Sequence, residues 1–291
     1  MKRILLTGGS GFIGKNILES FLAKKHEIIA PSSKELDLTN SFDVQSYFRV
    51  NTFDYIIHAA GCPGHRNADF NRLAYKNLQM FFALEKQKDK YEKMLFLGSG
   101  AIYNRQKACI NVSEDSYGES VPSDEYGLSK YICSKYIENT FFNCIDLRLF
   151  GVFGKYEDYS VRFISNLICK NLLNMPLSMI QNTYFSYLYI NDLMPIIDFF
   201  LENNLPFKSY NITPDDSISL LELAEIIKQK GDKGVSITIE KDGCSPEYIG
   251  SNNRLKKSLP NIKFTDIKDS ISELFEWYEA HLSFINKDNL L

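Results

Sequence analysis

The chain opens with a charged pair, Lys2 and Arg3, followed by an unbroken apolar run, Ile4-Leu5-Leu6, and Thr7. That pattern predicts a short strand over residues 2–7. Gly8-Gly9-Ser10-Gly11-Phe12-Ile13-Gly14 follows, and beyond it Ile13, Ile17, Phe21 and Leu22 share a helix face. Residues 27–30 read as a second strand. Residues 42–50 read as a helix with Phe42, Val44, Tyr47 and Phe48 apolar, and residues 54–60 as a strand ending in small side chains. A long helix is predicted over residues 72–87, and further strands over residues 94–97 and 144–149. Apolar strands alternating with helices predict an α/β fold with a parallel, doubly wound sheet covered on both faces.

Beyond Gly154 the alternation weakens. Residues 184–190 read as an aromatic strand and residues 192–201 as a helix. In residues 217–227 Ser219 precedes Glu222 by three, the spacing of a capping box. Residues 235–239 alternate as a strand, and residues 270–281 form a terminal helix. The expected division is a sheet domain over residues 1–158 and about 181–205, with a smaller α/β lobe over about 159–180 and 206–291.

Composition narrows the class. The 291 residues are 44% hydrophobic and 24% charged, with a net charge of −3, so nothing points to a nucleic-acid surface. No apolar run approaches the ~20 residues that span a bilayer. The apolar start is too short for a signal peptide. The six cysteines form no CxxC pair. They read as reduced thiols, mostly buried, in a cytoplasmic protein. His58 and His65 are neighbours in sequence but lack partner ligands at metal-site spacing, so no metal is expected.

Three motifs carry chemistry. Gly8, Gly11 and Gly14 lie between a strand and a helix, the context of a dinucleotide-binding turn. One glycine permits the tight turn, another lets the backbone reach a pyrophosphate, and the last lets helix and strand pack closely. The helix N-terminus adds N–H donors and partial positive charge. Tyr126 and Lys130 are one helical turn apart, so an ammonium stands beside a phenol and favours its ionised form. Ser99 follows the strand at 94–97, at the sheet edge where ligands bind in this architecture, and its hydroxyl could hold a substrate oxygen.

With these residues in view, the chain resembles the extended short-chain dehydrogenase/reductases, the NAD-dependent epimerase/dehydratase group acting on nucleotide sugars. Thr7–Gly14 matches that family's cofactor turn, His58-Ala59-Ala60-Gly61 one of its strand signatures, and Asn77 its helix asparagine. Ser99, Tyr126 and Lys130 match its catalytic trio. Residues 148–154, 187–192 and 210–212 match later segments more loosely. The resemblance implies a Rossmann domain and a bound NAD(H) or NADP(H). It also implies a nucleoside-diphosphate sugar in the cleft, a homodimer, and neither nucleic-acid nor membrane partners. It places the cofactor on Gly8, Gly11, Phe12, Ile13, Gly14, Ser32, Ser33, Lys34, Asp37, Leu38, Ala59, Ala60, Gly61, Asn77 and Lys130.

Departures from the family pattern select among reactions. The dehydratases carry Thr-Asp-Glu where this chain has Ser99, Gly100 and Ala101, so dehydration loses its carboxyl groups. Residues 97–103 resemble the GDP-fucose synthases, whose epimerising cysteine falls on Ala101 and whose histidine falls on Arg162. Proton exchange beside the ketone thus loses both groups, while carbonyl reduction keeps Ser99, Tyr126 and Lys130. The expected activity is NAD(P)H-dependent reduction of a 4-keto nucleoside-diphosphate sugar in surface-polysaccharide synthesis. A 4-epimerase and a catalytically silent dinucleotide-binding protein are the rivals. Ser32 stands where NAD-selective members carry an acid, and Lys34 is close, which favours NADP(H) over NAD(H). Substrate contacts are expected from Ser99, Gly100, Tyr126, Arg162, Asn166 and Arg254. Phe185 replaces the family's usual arginine, and Tyr184, Phe185, Tyr187 and Tyr189 read as core strand rather than as a base-stacking platform.

Overall fold

The computed structural model describes residues 1–64 and 71–290; His65 lies outside them. In chain order the first half comprises β1 (Arg3–Thr7), α1 (Phe12–Glu19), α2 (Leu22–Lys25), β2 (Glu27–Ile29), α3 (Ser41–Val50), β3 (Tyr55–His58), α4 (Leu73–Glu85), β4 (Lys93–Ser99), β5 (Cys109–Val112), α5 (Glu125–Asn139) and β6 (Cys144–Leu149). The second half comprises α6 (Phe163–Leu172), β7 (Leu177–Met179), β8 (Tyr184–Phe185), α7 (Ile190–Glu202), β9 (Ser209–Ile212), β10 (Ile218–Ser219), α8 (Leu220–Gly231), β11 (Ile237–Ile239), β12 (Tyr248–Gly250), α9 (Asn253–Ser258) and α10 (Ile267–Ala280).

The large sheet runs β2-β1-β3-β4-β6-β9, every neighbour pair parallel. Successive side chains of one strand enter opposite faces, and the core divides accordingly. Ile4, Leu6, Ile57, Leu95, Leu97, Ile145 and Leu147 face one apolar cluster, with Ile17 of α1, Leu167 of α6 and Leu193 of α7. Leu5, Ile56, Met94, Phe96 and Cys144 face the other, with Val44 and Phe48 of α3, Phe81 of α4 and Ile137 of α5. Burial on both faces explains why the strands read as near-continuous apolar runs rather than alternating ones. The chain leaves β1 for the outer β2 and returns to β3 on β1's other side, so strand order reverses between β1 and β3. That reversal opens a crevice at the strands' C-terminal ends.

Two expectations change. The aromatic run at 184–190 forms a strand only at Tyr184–Phe185; Tyr189 stays extended in a single parallel bridge to Phe153, and α7 begins at Ile190. The chain also returns to the large sheet after residue 205: β9 pairs with β6, Asp146 opposite Ser209. The capping box at Ser219 and Glu222 forms as its spacing requires. A second sheet, β10-β8-β12-β5, joins strands of the late region to β5, which follows Ser99 by ten residues at Cys109. Among the described residues no helix is long and apolar enough to cross a membrane.

Candidate active site

The glycine turn is set by close approaches that a side chain would block. Gly8 has φ +75°, and a Cβ there would lie 2.7 Å from the Ala60 amide nitrogen, so the turn lies directly on the end of β3. A Cβ on Gly14 would collide with the Gly8 carbonyl. Thr7 fixes the same junction from its side chain. Its hydroxyl is 2.8 Å from His58 Nδ1 and accepts from the Ala60 N–H at 3.3 Å. Gly11 precedes α1 in extended conformation and provides no side-chain cap. The first-turn N–H groups of α1, at Phe12 and Ile13, therefore face the crevice without a capping side chain. This is a cradle for an anionic group.

The turn after β2 is organised differently from expectation. The Ser32 N–H and hydroxyl both donate to Glu35 at 2.8 Å, and these bonds hold the Glu35 carboxyl below the usual carboxylate range. Ser33 and Lys34 are exposed. Asp37 is spent on Thr39, accepting from its N–H and hydroxyl at 2.9 and 2.7 Å, and the Leu38 side chain is buried in the core. Asn77 likewise serves the scaffold. Its amide brackets the Cys62 backbone, accepting from the N–H at 2.7 Å and donating to the carbonyl at 3.2 Å, and it also reaches Ser129. Ser32, Asp37 and Asn77 thus each hold a neighbouring loop in place through these bonds. Ala59, Ala60 and Gly61 line the route from β3 past the glycine turn.

Ser99, Lys130 and the first turn of α5 come together at the C-terminal end of β4. Ser99 is the strand's last residue, and its Oγ accepts from the Ala101 N–H at 3.1 Å. Asp124 caps α5 through the Gly127 N–H, placing Tyr126 in the first turn and Lys130 one turn later. Lys130 is buried, and its Nζ donates to the Leu97 carbonyl at 2.8 Å and lies 4.4 Å from the Phe96 ring centre. Burial, with Lys130's charge added, lowers the pKa of His58 to about 3, so His58 is neutral and structural. A cavity of about 10 Å³ lies among His58, Ala60, Asn77, Phe96, Ser129, Lys130 and Cys133. The loop after β3 rests on Tyr126: a Cβ on Gly64 would stand 2.5 Å from Tyr126 Cβ.

Under this site lies a buried network. Arg148 is fully buried and donates to Asp146 at 3.1 Å, Glu138 at 3.1 Å, Ser134 at 2.8 Å and the Tyr103 hydroxyl at 3.0 Å. Tyr103 in turn donates to Asn211 at 2.8 Å, locking β4's exit onto β9.

The candidates for substrate contact separate. Gly100 is buried, and a Cβ on it would collide with the Tyr248 hydroxyl and stand 2.6 Å from the Phe150 ring, so Gly100 serves side-chain packing. Arg162 is exposed at the start of α6, and its charge acts on Glu157 and Tyr187. Asn166 spends its amide on the Tyr159 and Ser160 carbonyls at 3.0 and 3.4 Å. Arg254 runs back along β9 to the Ser209 carbonyl at 3.1 Å and pairs with Asp115 at 2.9 Å and Glu114 at 3.7 Å. In the structure the Asn166 NH2 and the Arg254 guanidinium are thus directed at carbonyls and carboxylates of the chain itself. Away from the cleft, His26, Asp198 and Glu202 converge, with the Lys25 ammonium 2.7 Å from Asp198.

Sequence reasoning missed Tyr248. Its ring lies 4.9 Å from Phe150 and 5.6 Å from Phe185, and its phenol lies against Gly100. Nothing in its surroundings, Pro246-Glu247-Tyr248-Ile249, distinguishes it from a core tyrosine. The Glu35 bond to Ser32 left no sequence signal either, since it acts through one partner rather than through a repeat.

Residues 4–213 match the model of the NAD dependent epimerase/dehydratase family. The chain is 34% identical over 185 residues to the GDP-L-colitose synthase of Yersinia pseudotuberculosis, spanning 58% of this chain and 59% of that enzyme. It is 27% identical over 279 residues to a GDP-L-fucose synthase of Sinorhizobium fredii, covering 87% and 88%. The crystal structure of Thermotoga maritima UDP-glucose 4-epimerase with UDP-glucose superposes with a TM-score of 0.84 at 16% identity, covering 96% and 99%.

Proposed function

The chain belongs to the NAD-dependent epimerase/dehydratase family, and on that premise we propose that it reduces the 4-ketone of a nucleoside-diphosphate sugar. The observation that supports this reading is the gathering of Ser99, Lys130 and the Tyr126 turn of α5 at the end of β4; the resemblance, which puts Ala101 and Arg162 on the family's epimerising positions, favours reduction over epimerisation. The names of its relatives, a colitose synthase and a fucose synthase, agree with a nucleotide-sugar substrate.

A nicotinamide dinucleotide fits the crevice between β1 and β3, where Gly8, Gly11 and the uncapped N–H groups of α1 form a cradle for its pyrophosphate. When bound it supplies the hydride. NADP(H) is the preferred form, supported by the lack of an acid at Ser32 and by the exposed Lys34. The chain's own groups handle the oxygen. Ser99 holds the ketone oxygen through its hydroxyl, and Tyr126 delivers a proton to that oxygen as negative charge develops. The Lys130 ammonium, seated on the Leu97 carbonyl at 2.8 Å, stabilises the phenolate that remains and would be the group to hold the cofactor's ribose. Arg162 is the remaining candidate for the phosphate side, because Phe185 offers no charge there.

The test is a panel of 4-keto nucleotide sugars mixed with NADPH and the protein. Oxidation of the cofactor is expected with at least one sugar and is abolished in Tyr126→Phe. No oxidation with any of them, together with stoichiometric NAD released on denaturation, would reject reduction in favour of the 4-epimerase. Light scattering checks the proposed homodimer.

A further inference from the structure

Where α2 and α7 end, one imidazole and two carboxylates meet on a fixed frame. His26 closes the C-terminus of α2: its N–H donates to the Leu22 carbonyl at 2.9 Å, and the next residue enters β2 with the Glu27 N–H on the Lys2 carbonyl at 2.9 Å. The backbone on both sides of the ring is therefore pinned. Asp198 and Glu202 stand one turn apart at the end of α7, on one face of that helix. Ile197, Phe200 and Leu201 of α7 share an apolar cluster with Leu22 of α2, which sets the two helices side by side. Lys93 secures the same end of α7, donating to the carbonyls of Phe200, Leu201 and Asn203 at 3.1, 3.2 and 2.8 Å.

The imidazole is what needs explaining. The His26 side chain is only 2% exposed, yet neither ring nitrogen makes a hydrogen bond. Enclosing a polar atom without a partner is costly. Nε2 faces both carboxylates, 3.6 Å from Asp198 Oδ1 and 3.8 Å from Glu202 Oε1. Those gaps exceed the roughly 2.7–3.2 Å of an N–H···O hydrogen bond. They suit two ligands of one ion, since bonds of about 2.0–2.2 Å in tetrahedral geometry put neighbouring donor atoms about 3.4 Å apart. The three donor atoms all lie within 4.8 Å of one another. The Lys25 ammonium reaches the same two oxygens from outside, 2.7 Å from Asp198 Oδ1 and 3.4 Å from Glu202 Oε1, so the pair already draws a cation. We propose that His26 Nε2, Asp198 and Glu202 bind one divalent ion of the zinc class, with solvent completing the tetrahedron and the exposed Lys25 side chain swinging out as the ion enters. One imidazole and two carboxylates are a donor set that zinc accepts. The ion would clasp α2, and through it the edge strand β2, to the end of α7. No local spacing announces the site, because His26 and the α7 pair come from opposite halves of the chain.

The test uses the untagged full chain, stripped with a chelator, desalted and titrated with ZnCl2 in a calorimeter, so it reads binding rather than turnover. One equivalent per chain is expected. His26→Ala and Glu202→Gln should each weaken binding by at least about 10-fold, and Glu202, at the surface, decides the matter if the buried His26 variant does not fold. Lys25→Met should tighten binding by about threefold, because the ammonium no longer competes. At a hundredfold excess of zinc over Kd the wild-type unfolding midpoint should rise by about 5 °C, with no rise in Glu202→Gln at the same zinc concentration. Co2+ in place of zinc should give the visible absorption of a tetrahedral nitrogen and oxygen site. Absence of binding to wild type, or equal affinity in Glu202→Gln, overturns the proposal. So does cobalt absorption consisting only of the near-ultraviolet thiolate band, which would assign the metal to the exposed Cys244. Weaker binding in Lys25→Met overturns it as well, since a competing ammonium cannot help the ion.

Discussion

The glycine turn at residues 8–14 and the region after Tyr159 were recognisable to very different degrees. In the turn, function is a property of the backbone. Gly8 at φ +75° and Gly14 against the Gly8 carbonyl are places where any other residue collides, so the requirement is written as residue identity at fixed spacing. In the later region, function depends on which side chains happen to be unoccupied. Arg254 and Asn166 have the right chemistry for phosphates, yet one is held by Glu114, Asp115 and Ser209 and the other by two carbonyls. A cation or amide in the sequence is thus a candidate only until its partners are known.

The sharpest way to break this comparison is Tyr126→Phe. It should lower kcat by about 1,000-fold while cofactor affinity, measured by calorimetry, stays within about threefold. Retained turnover would move the chemistry out of the motif half. Next is Gly8→Ala, in which strain at a left-handed position adds to a 2.7 Å approach on Ala60. Cofactor binding should weaken by about 100-fold, with a loss of about 3 kcal/mol in denaturant unfolding. An unchanged Kd would show that the turn does not hold the dinucleotide.

The third pair tests the later region directly. Arg254→Ala leaves Glu114 buried without its cation, so stability should drop by about 2 kcal/mol with KM unchanged. Arg162→Ala should do the reverse, raising KM by about 10-fold with an unchanged unfolding midpoint. If the two variants exchanged phenotypes, the assignments would be reversed.

Glu157, in the segment joining β6 to α6, supplies a pH test of similar size. Burial raises its pKa from 4.5 to about 7, although Ser165 hydrogen-bonds to it at 2.5 Å. Because the folded value lies above the unfolded one, its contribution is complete below about pH 4.5 and is lost as pH rises through about 7. The shift corresponds to at most about 3 kcal/mol. The unfolding midpoint of wild type should therefore fall between pH 5 and 8 more steeply than that of Glu157→Gln; parallel curves would assign the slope elsewhere. The smallest effect is expected from Glu35→Gln, which removes a carboxylate from the Ser32 turn and should raise preference for NADP(H) over NAD(H) by about threefold in kcat/KM.

Much of this fold follows from local rules. Apolar runs of strand length, helical periodicity, the Ser219–Glu222 box and three glycines are each dictated by the geometry of a few consecutive residues. They hold whatever the rest of the chain does. The Tyr126–Lys130 spacing belongs to the same class, since one helical turn always stacks those positions. Neither the occupancy of Arg254 nor the arrival of Tyr248 at Gly100 is local. Each depends on partners more than a hundred residues away, brought together by β9 pairing with β6 and by β12 crossing to β5. Contacts of that kind leave no periodic trace, because a hydrogen bond needs only one matching group and any distant segment can provide it.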